Sequence, residues 1–376
     1  MKKITLWMMC IGSVACLLSG CAKKELERMT DSTEEKNNEE LLMEYKFTQN
    51  GISTVDIGES KEMILAFRHF NNAINSKTQS NFSKQLENYR NVIAGVLSPT
   101  EEALRKPVAD RISGLADQLY ALVRSEAVNR KAQPGMSGTV AVSNEESRML
   151  DEKGVELGQV IQKALMGALT LDKVDYFLEK ALKADNASPV AGKNYTEMAH
   201  CWDTAYGYLG TLDVDPNRLA PLFLANYIEK EAVGMQGLSG INTSVYQAFY
   251  KGRKAIGDHN LEEVRKQVAF IRGQMAKLFS LRTVYYLRES QTFLERTVSV
   301  PSEGYFHSMG EALGFILALP FVKDEAGKPR ITWKQAVALY DGLTQGETGV
   351  WEKDRLTGVQ DGSISAAIEK VHQYFH

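Results

Sequence analysis

Cysteine is scarce in this chain: four in 376 residues. Cys10 and Cys16 fall within the first twenty residues, Cys21 follows at once, and Cys201 is alone in the body. A single thiol cannot close an intrachain disulfide, so stability does not depend on an oxidised framework. Cys201 stands beside His200, which invites a nucleophile reading. Neighbouring helical residues point about 100° apart, so a small buried thiol is the better expectation.

Histidine is nearly as scarce, and its spacing is informative. The six are His69, His200, His259, His307, His372 and His376. No two stand four apart with a Glu between, which removes the zinc-peptidase helix motif. The nearest approach to a serine nucleophile elbow, Gly237-Leu-Ser-Gly-Ile241, lacks its last glycine. No excess of basic residues exists either. The formal net charge is −3, and no basic stripe appears, so nucleic acid is not an expected partner. Period-two alternation rarely runs beyond four residues, which argues against a sheet to carry a site.

What is present begins at the amino terminus. Lys2 and Lys3 precede a short apolar run from Ile4 to Leu18, then Leu18-Ser-Gly-Cys21. The run falls short of the ~20 residues a membrane span needs. It reads as a signal peptide over residues 1–20, ending in a lipobox with Cys21 as the lipidated first residue. Several acyl chains would hold the protein on a membrane where one is marginal. Removing the first 20 residues leaves 356, with 47 acidic side chains against 42 basic ones once Lys2 and Lys3 are gone. Residues 21–44 are polar and free of aromatics, the composition of a disordered tether. Lipid on Cys21 makes the membrane one expected partner, and an envelope protein is a second.

Residues 45–376 read as an all-α domain. Met63, Ile64, Phe67, Phe70 and Ile74 recur at helical spacing. Helix starts are expected at Ser98-Pro-Thr-Glu101, at Ser143 with Glu146, at Asp215-Pro216, at Asn260 with Glu263, and at Thr332 with Gln335. The segments after them are expected as helices to about Arg130, over 146–169 and 171–184, and through Tyr285. A closing helix is expected over 363–375, after a Gly-rich irregular stretch from Gly342 to Gly362.

The chain repeats one pattern. Met198-Ala-His-Cys-Trp-Asp-Thr-Ala-Tyr-Gly-Tyr-Leu-Gly210 and Phe306-His-Ser-Met-Gly-Glu-Ala-Leu-Gly-Phe-Ile-Leu317 share His, four residues, Ala, any residue, Gly, aromatic, aliphatic. On a helix, i+7 lies about 20° from i, so Gly207 falls below His200 and Gly314 below His307. Interior glycine costs about 1 kcal/mol against alanine. Its double use predicts a close-approaching backbone or ligand. Asp203 lies at i+3 from His200 and Glu311 at i+4 from His307, so each histidine shares a face with a carboxylate. Two related halves, about 45–212 and 213–376, are the simplest architecture for such a repeat.

Four stretches carry a family resemblance: Gly154–Ala168, Tyr195–Gly210, Lys251–Ile256 and Phe306–Phe315. Together they resemble a family of Bacteroidota lipoproteins catalogued as a domain of unknown function, over about Tyr45 to Phe321. More distantly the chain is similar to imelysin-like proteins. That resemblance implies a duplicated helical bundle, export or lipid anchoring at the outer membrane of a Gram-negative cell, a link to iron uptake, and a His and Glu on an internal helix. The imelysin pattern is His-x-x-Glu. Here Asp203 holds that offset in the first copy and Gly310 in the second, with Glu311 one later.

Two functional readings follow. In the first, the protein is an envelope binding module for a metal, an iron complex or another small ligand. His200, Asp203, His307 and Glu311 would then meet between the halves as two nitrogens and two carboxylates, a set that suits iron or another transition metal. In the second, the His–carboxylate pairs are structural and the protein is a non-enzymatic scaffold that docks on an envelope partner. Trp202 and Tyr208 are expected in the core, and Lys251, Arg253 and Lys254 at a solvated helix end.

Overall fold

A computed structural model describes residues 44–75, 86–98, 103–143, 146–211 and 221–375 of the protein. Cys21, nearly all of the tether and the Asp215-Pro216 cap lie outside the described residues, as does most of the Ser98–Glu101 cap.

The chain enters through a small hairpin, β1 (Thr48–Gln49) against β2 (Ile52–Ser53). Its two-residue turn is Asn50-Gly51, with φ 51° and 76°. Positive φ at both central residues is what a type I′ turn requires, and Asn-Gly supplies it at least cost. Helices α1 (Gly58–Ile74), α2 (Leu86–Leu97) and α3 (Arg105–Val123) follow. In α1 the apolar spacing buries Ile64, Phe67, Phe70 and Ile74 on one face, as expected.

The first departure from expectation comes next. Ser143 and Glu146 do not open a helix. They turn a second hairpin, β3 (Gly138–Ala141) antiparallel to β4 (Ser147–Leu150). The Ser143 hydroxyl does accept from the Glu146 amide at 3.1 Å. The same side-chain-to-backbone bond that caps a helix also closes a turn, and here the turn wins. The helix expected from residue 146 therefore begins late, as α4 (Leu157–Leu165). It passes without a break through a π-helical segment, Met166–Leu171, into α5 (Asp172–Ala181).

Helix α6 (Glu197–Gly207) carries His200. A helical turn α7 (Leu224–Asn226) leads into a second π-helical segment, Tyr227–Glu231. Then come α8 (Ile241–Gly257), α9 (Leu261–Glu295) and α10 (Glu303–Ala318), which carries His307. Helices α11 (Trp333–Leu343), α12 (Lys353–Leu356) and α13 (Ile364–Phe375) close the chain. The expected caps at Asn260 and Thr332 are present, the second as a full capping box with Gln335. The class is all-α with two short hairpins, and no described helix is long and apolar enough to cross a membrane.

Helix α10 is the centre of the packing. Nearly every residue from Ser308 to Leu319 is buried, against α9 on one side and α4 on the other. The α4 contact needs glycine. A Cβ on Gly314 would stand 2.8 Å from the Val160 carbonyl oxygen, and one on Gly310 would press on Glu156 and Gln159. Gly167 lies equally close to Ala318. The other His helix, α6, packs on α5, α8 and α1, with Gly207 beneath Ser60 of α1. The close approach expected at Gly207 and Gly314 is therefore a neighbouring helix in both cases.

The Gly-rich stretch before α13 has an organiser that composition does not reveal. Arg355 donates to the carbonyls of Gly342, Leu343, Gln345, Gly349 and Gly362 and to the Glu352 carboxylate. Five donors in a rigid fork suit this work, because the irregular backbone leaves its carbonyls without helical partners.

Candidate functional site

On α6, Thr196 caps the first turn by accepting from the Ala199 amide, which fixes the direction of the helix. Asp203 is fully buried. Its Oδ1 oxygen accepts from the Tyr45 hydroxyl at 2.7 Å and from Arg253 Nε at 2.8 Å. Arg253, expected in solvent, is instead buried, and it also donates to Thr54 at 3.1 Å. The correction has a plain cause: an arginine whose guanidinium meets a buried carboxylate is drawn in, while its neighbour Lys254 stays exposed and pairs with Asp258. Burial pushes the Asp203 carboxyl up, Arg253 and Tyr45 pull it down, and the balance leaves it raised to about 6. Its Oδ2 oxygen accepts no hydrogen bond, although the nearby Asp56 amide favours its charge.

His200 does not bond Asp203. Its ring stacks on Tyr195 at 4.9 Å, and its Nδ1 is buried with no hydrogen-bond partner. Tyr195 in turn donates to Asp56 at 3.0 Å. Trp202 and Tyr208 are core residues as expected, with Trp202 Nε1 donating to the Phe249 carbonyl at 2.9 Å. Cys201 is buried, and burial raises its thiol to about 11, so it carries no thiolate chemistry at neutral pH.

The second cluster is built on α10 and looks toward α4. His307 Nδ1 meets Glu156 Oε2 at 2.9 Å, and His307 Nε2 lies 3.9 Å from Glu311 Oε1. Lys163, two turns along α4 from Glu156, reaches Glu311 at 2.9 Å. Tyr227, from the second π-helical segment, donates to the same oxygen at 3.4 Å, and it meets Tyr286 of α9 at 2.9 Å. Burial pushes the Glu311 carboxyl up, but Lys163, His307 and Tyr286 outweigh it and hold the group below the usual glutamate range. Arg148 of β4 clasps Glu156 at 3.3 Å and Glu303 at 2.9 Å, closing the outer side. The His307 side chain keeps 28 % of its surface open, whereas Glu156, Lys163 and Glu311 each keep under a tenth.

The four residues expected to converge thus belong to two clusters with different partners. Asp203 answers to Arg253, and Glu311 to Lys163. Among the described residues, no group of three or more His, Cys, Asp or Glu side chains is placed to hold a metal ion. A metal would have to displace a paired guanidinium or ammonium, so the donor chemistry does not fit the shared four-ligand set. Sequence reasoning missed Tyr45, Arg253 and Lys163 as the partners. Arg253 and Lys163 fall within the Lys251–Ile256 and Gly154–Ala168 stretches, but nothing in their spacing ties either one to a His helix.

A family described as a domain of unknown function (DUF4856) matches residues 42–375 of the sequence. The chain belongs to this family. No curated protein and no solved structure that was compared matches it. The DUF4856 match spans both His helices and the Arg355-centred carboxy-terminal segment, so both clusters lie within the family's domain.

Proposed function

We propose that this DUF4856 protein is a lipid-anchored envelope scaffold, held at the outer membrane through Cys21, that docks on a protein partner. Its His–carboxylate motifs serve the bundle. The observation that carries this reading is the internal neutralisation of both motif carboxylates: Asp203 by Arg253 at 2.8 Å, Glu311 by Lys163 at 2.9 Å. Buried charges paired in this way specify packing, and they leave little spare valence for a ligand. The two His helices are read as related copies that have taken different neighbours.

The anchor is tested by Cys21→Ser. The variant should appear soluble or unprocessed, and full membrane partitioning after processing would defeat the lipoprotein reading. The docking role is tested by mild crosslinking of the lipidated protein in its own envelope. A single stoichiometric protein neighbour supports the scaffold, and its absence at saturating crosslinker counts against it.

A ligand-binding reading is favoured at one point only, the partly open His307 ring between Glu156 and Glu311. Iron or another transition metal held there would bind more weakly in His307→Ala and equally well in His200→Ala. Titration of ferrous, ferric and zinc ions into wild type and both variants, followed calorimetrically, decides the matter. Heat-silent titrations with all three proteins leave the scaffold reading standing.

A further inference from the structure

The first motif has a specific occupant. Residues 44–56 lie across α6, α8 and the loop before α6, and apart from the Asp56 bond to the Gly58 amide at the start of α1 their side-chain bonds to the rest of the protein go there. Tyr45 is inserted, 2 % exposed, stacked on Tyr206 at 3.9 Å with its hydroxyl on Asp203. Phe47 covers the Arg253 guanidinium at 5.0 Å and packs on Tyr250. Thr54 receives Arg253, and Asn194 donates to the Ser53 carbonyl at 2.8 Å. Between these points the strap is shallow. Residues 48–53 are all exposed, and the hairpin they form pairs only with itself.

A segment held this way is a hairpin strap seated in a groove, anchored through Tyr45 at one end and Thr54 at the other. The floor is polar and specific: a buried carboxylate, a buried guanidinium and an aromatic platform. We propose that α6, α8 and the 186–196 loop form a peptide-recognition groove, that residues 44–56 occupy it as a displaceable strap, and that its partner in trans is a hairpin-forming segment with a tyrosine followed two residues later by another aromatic. The inference rests on the docking reading above and names the chemistry of the partner. Recognition of this type draws affinity from a few buried anchors, with one inserted aromatic side chain setting specificity.

The test uses the full chain carrying Cys21→Ser. In hydrogen exchange, Tyr45→Phe should speed the amides of residues 46–54 about tenfold, the equivalent of one lost bond of about 1.4 kcal/mol. Protection in α9 and α10 should not change. A fluorescein-labelled peptide of residues 43–57 should bind Tyr45→Ala saturably and wild type at least tenfold more weakly. The same peptide with Phe in place of Tyr should lose about tenfold on Tyr45→Ala. If the strap and core exchange together in Tyr45→Phe, the strap is an integral part of the fold and the proposal fails. If the peptide binds neither protein, or both alike, the groove is not a recognition site. If Tyr45→Ala does not fold, the Tyr45→Phe exchange result decides. Failure to find an envelope neighbour would defeat the docking reading while leaving these strap results unchanged.

Discussion

Replacing Lys163 by Met should be the most informative single change in the second cluster. Lys163 sits on α4 with its amine on Glu311, both side chains under a tenth exposed. Met preserves the length of the stem and removes the charge, so little packing is lost and the carboxylate is orphaned. Removing one partner of a buried ion pair costs about 3–5 kcal/mol, because the remaining charge keeps its desolvation penalty. Unfolding entropy near 2.1 cal/mol/K per residue gives ~0.7 kcal/mol/K for a domain of about 330 residues. The expected fall in Tm is therefore about 4–7 °C, measured by scanning calorimetry at pH 7.

The pH dependence should change sign with it. In wild type the Glu311 carboxyl is held below the usual glutamate range. Such a group contributes stability that is present above its unfolded pKa and lost as pH falls through the lower native value. Burial is already the largest single influence, and without Lys163 it is expected to outweigh His307 and Tyr286, so that the native pKa rises above the unfolded one. The variant's deficit should then shrink on acidification from pH 8 to pH 5. The double variant K163M/E311L should recover at least half of the loss, since an apolar pair of similar volume often replaces a buried ion pair without penalty. A Tm change under about 1 °C, or a double variant no more stable than the single, would refute the structural account of Glu311.

Arg355→Ala should cost about 3 kcal/mol or more, since it removes charge-assisted bonds to five backbone carbonyls. Hydrogen exchange should locate the loss in residues 342–362 before α9 is affected. Gly314→Ala should destabilise by about 1–3 kcal/mol through overpacking, because its Cβ would stand 2.7 Å from Lys163 Cβ and 2.8 Å from the Val160 oxygen. Gly114→Ala in α3, where a Cβ meets nothing within 4 Å, should instead stabilise by about 0.5–1 kcal/mol, read by urea denaturation.

Much of the fold was legible because local signals and tertiary packing agreed. Asn260 and Thr332 are caps by chemistry and by position, and the 35-residue α9 follows its apolar spacing from Val264 through Leu278. Glycine at Gly207 and Gly314 announced close packing, because only a near neighbour justifies its cost in a helix. Ser143 and Glu146 misled because one hydrogen bond serves both a cap and a turn, and nothing local separates the two. Asn50-Gly51 was a readable hairpin signal in a stretch too short to show alternation. The site was less legible than the fold. A carboxylate on a buried face declares that it needs a partner, but the partner lies 50 residues away at Arg253 and 148 residues away at Lys163, and sequence spacing carries no trace of the crossing.

The two motifs also show why a repeated pattern need not be a repeated site. Both helices place histidine above glycine, and both bury an acid. The glycines meet different neighbours: Ser60 and Ile57 beside Gly207, the α4 backbone beside Gly314. Asp203 at i+3 turns to Arg253 of α8 and ignores its histidine, whereas Glu311 at i+4 lies 3.9 Å from His307. What the two helices share is a way of being seated: small residue at the contact, acid against a neighbour's cation. The chemistry left over differs as well. On α6 it is the buried His200 Nδ1 without a hydrogen-bond partner, and on α10 it is a partly open imidazole. A single ligand bridging both clusters would require these remainders to match. Because they do not, each cluster has to be tested separately, the first with peptides and the second with cations.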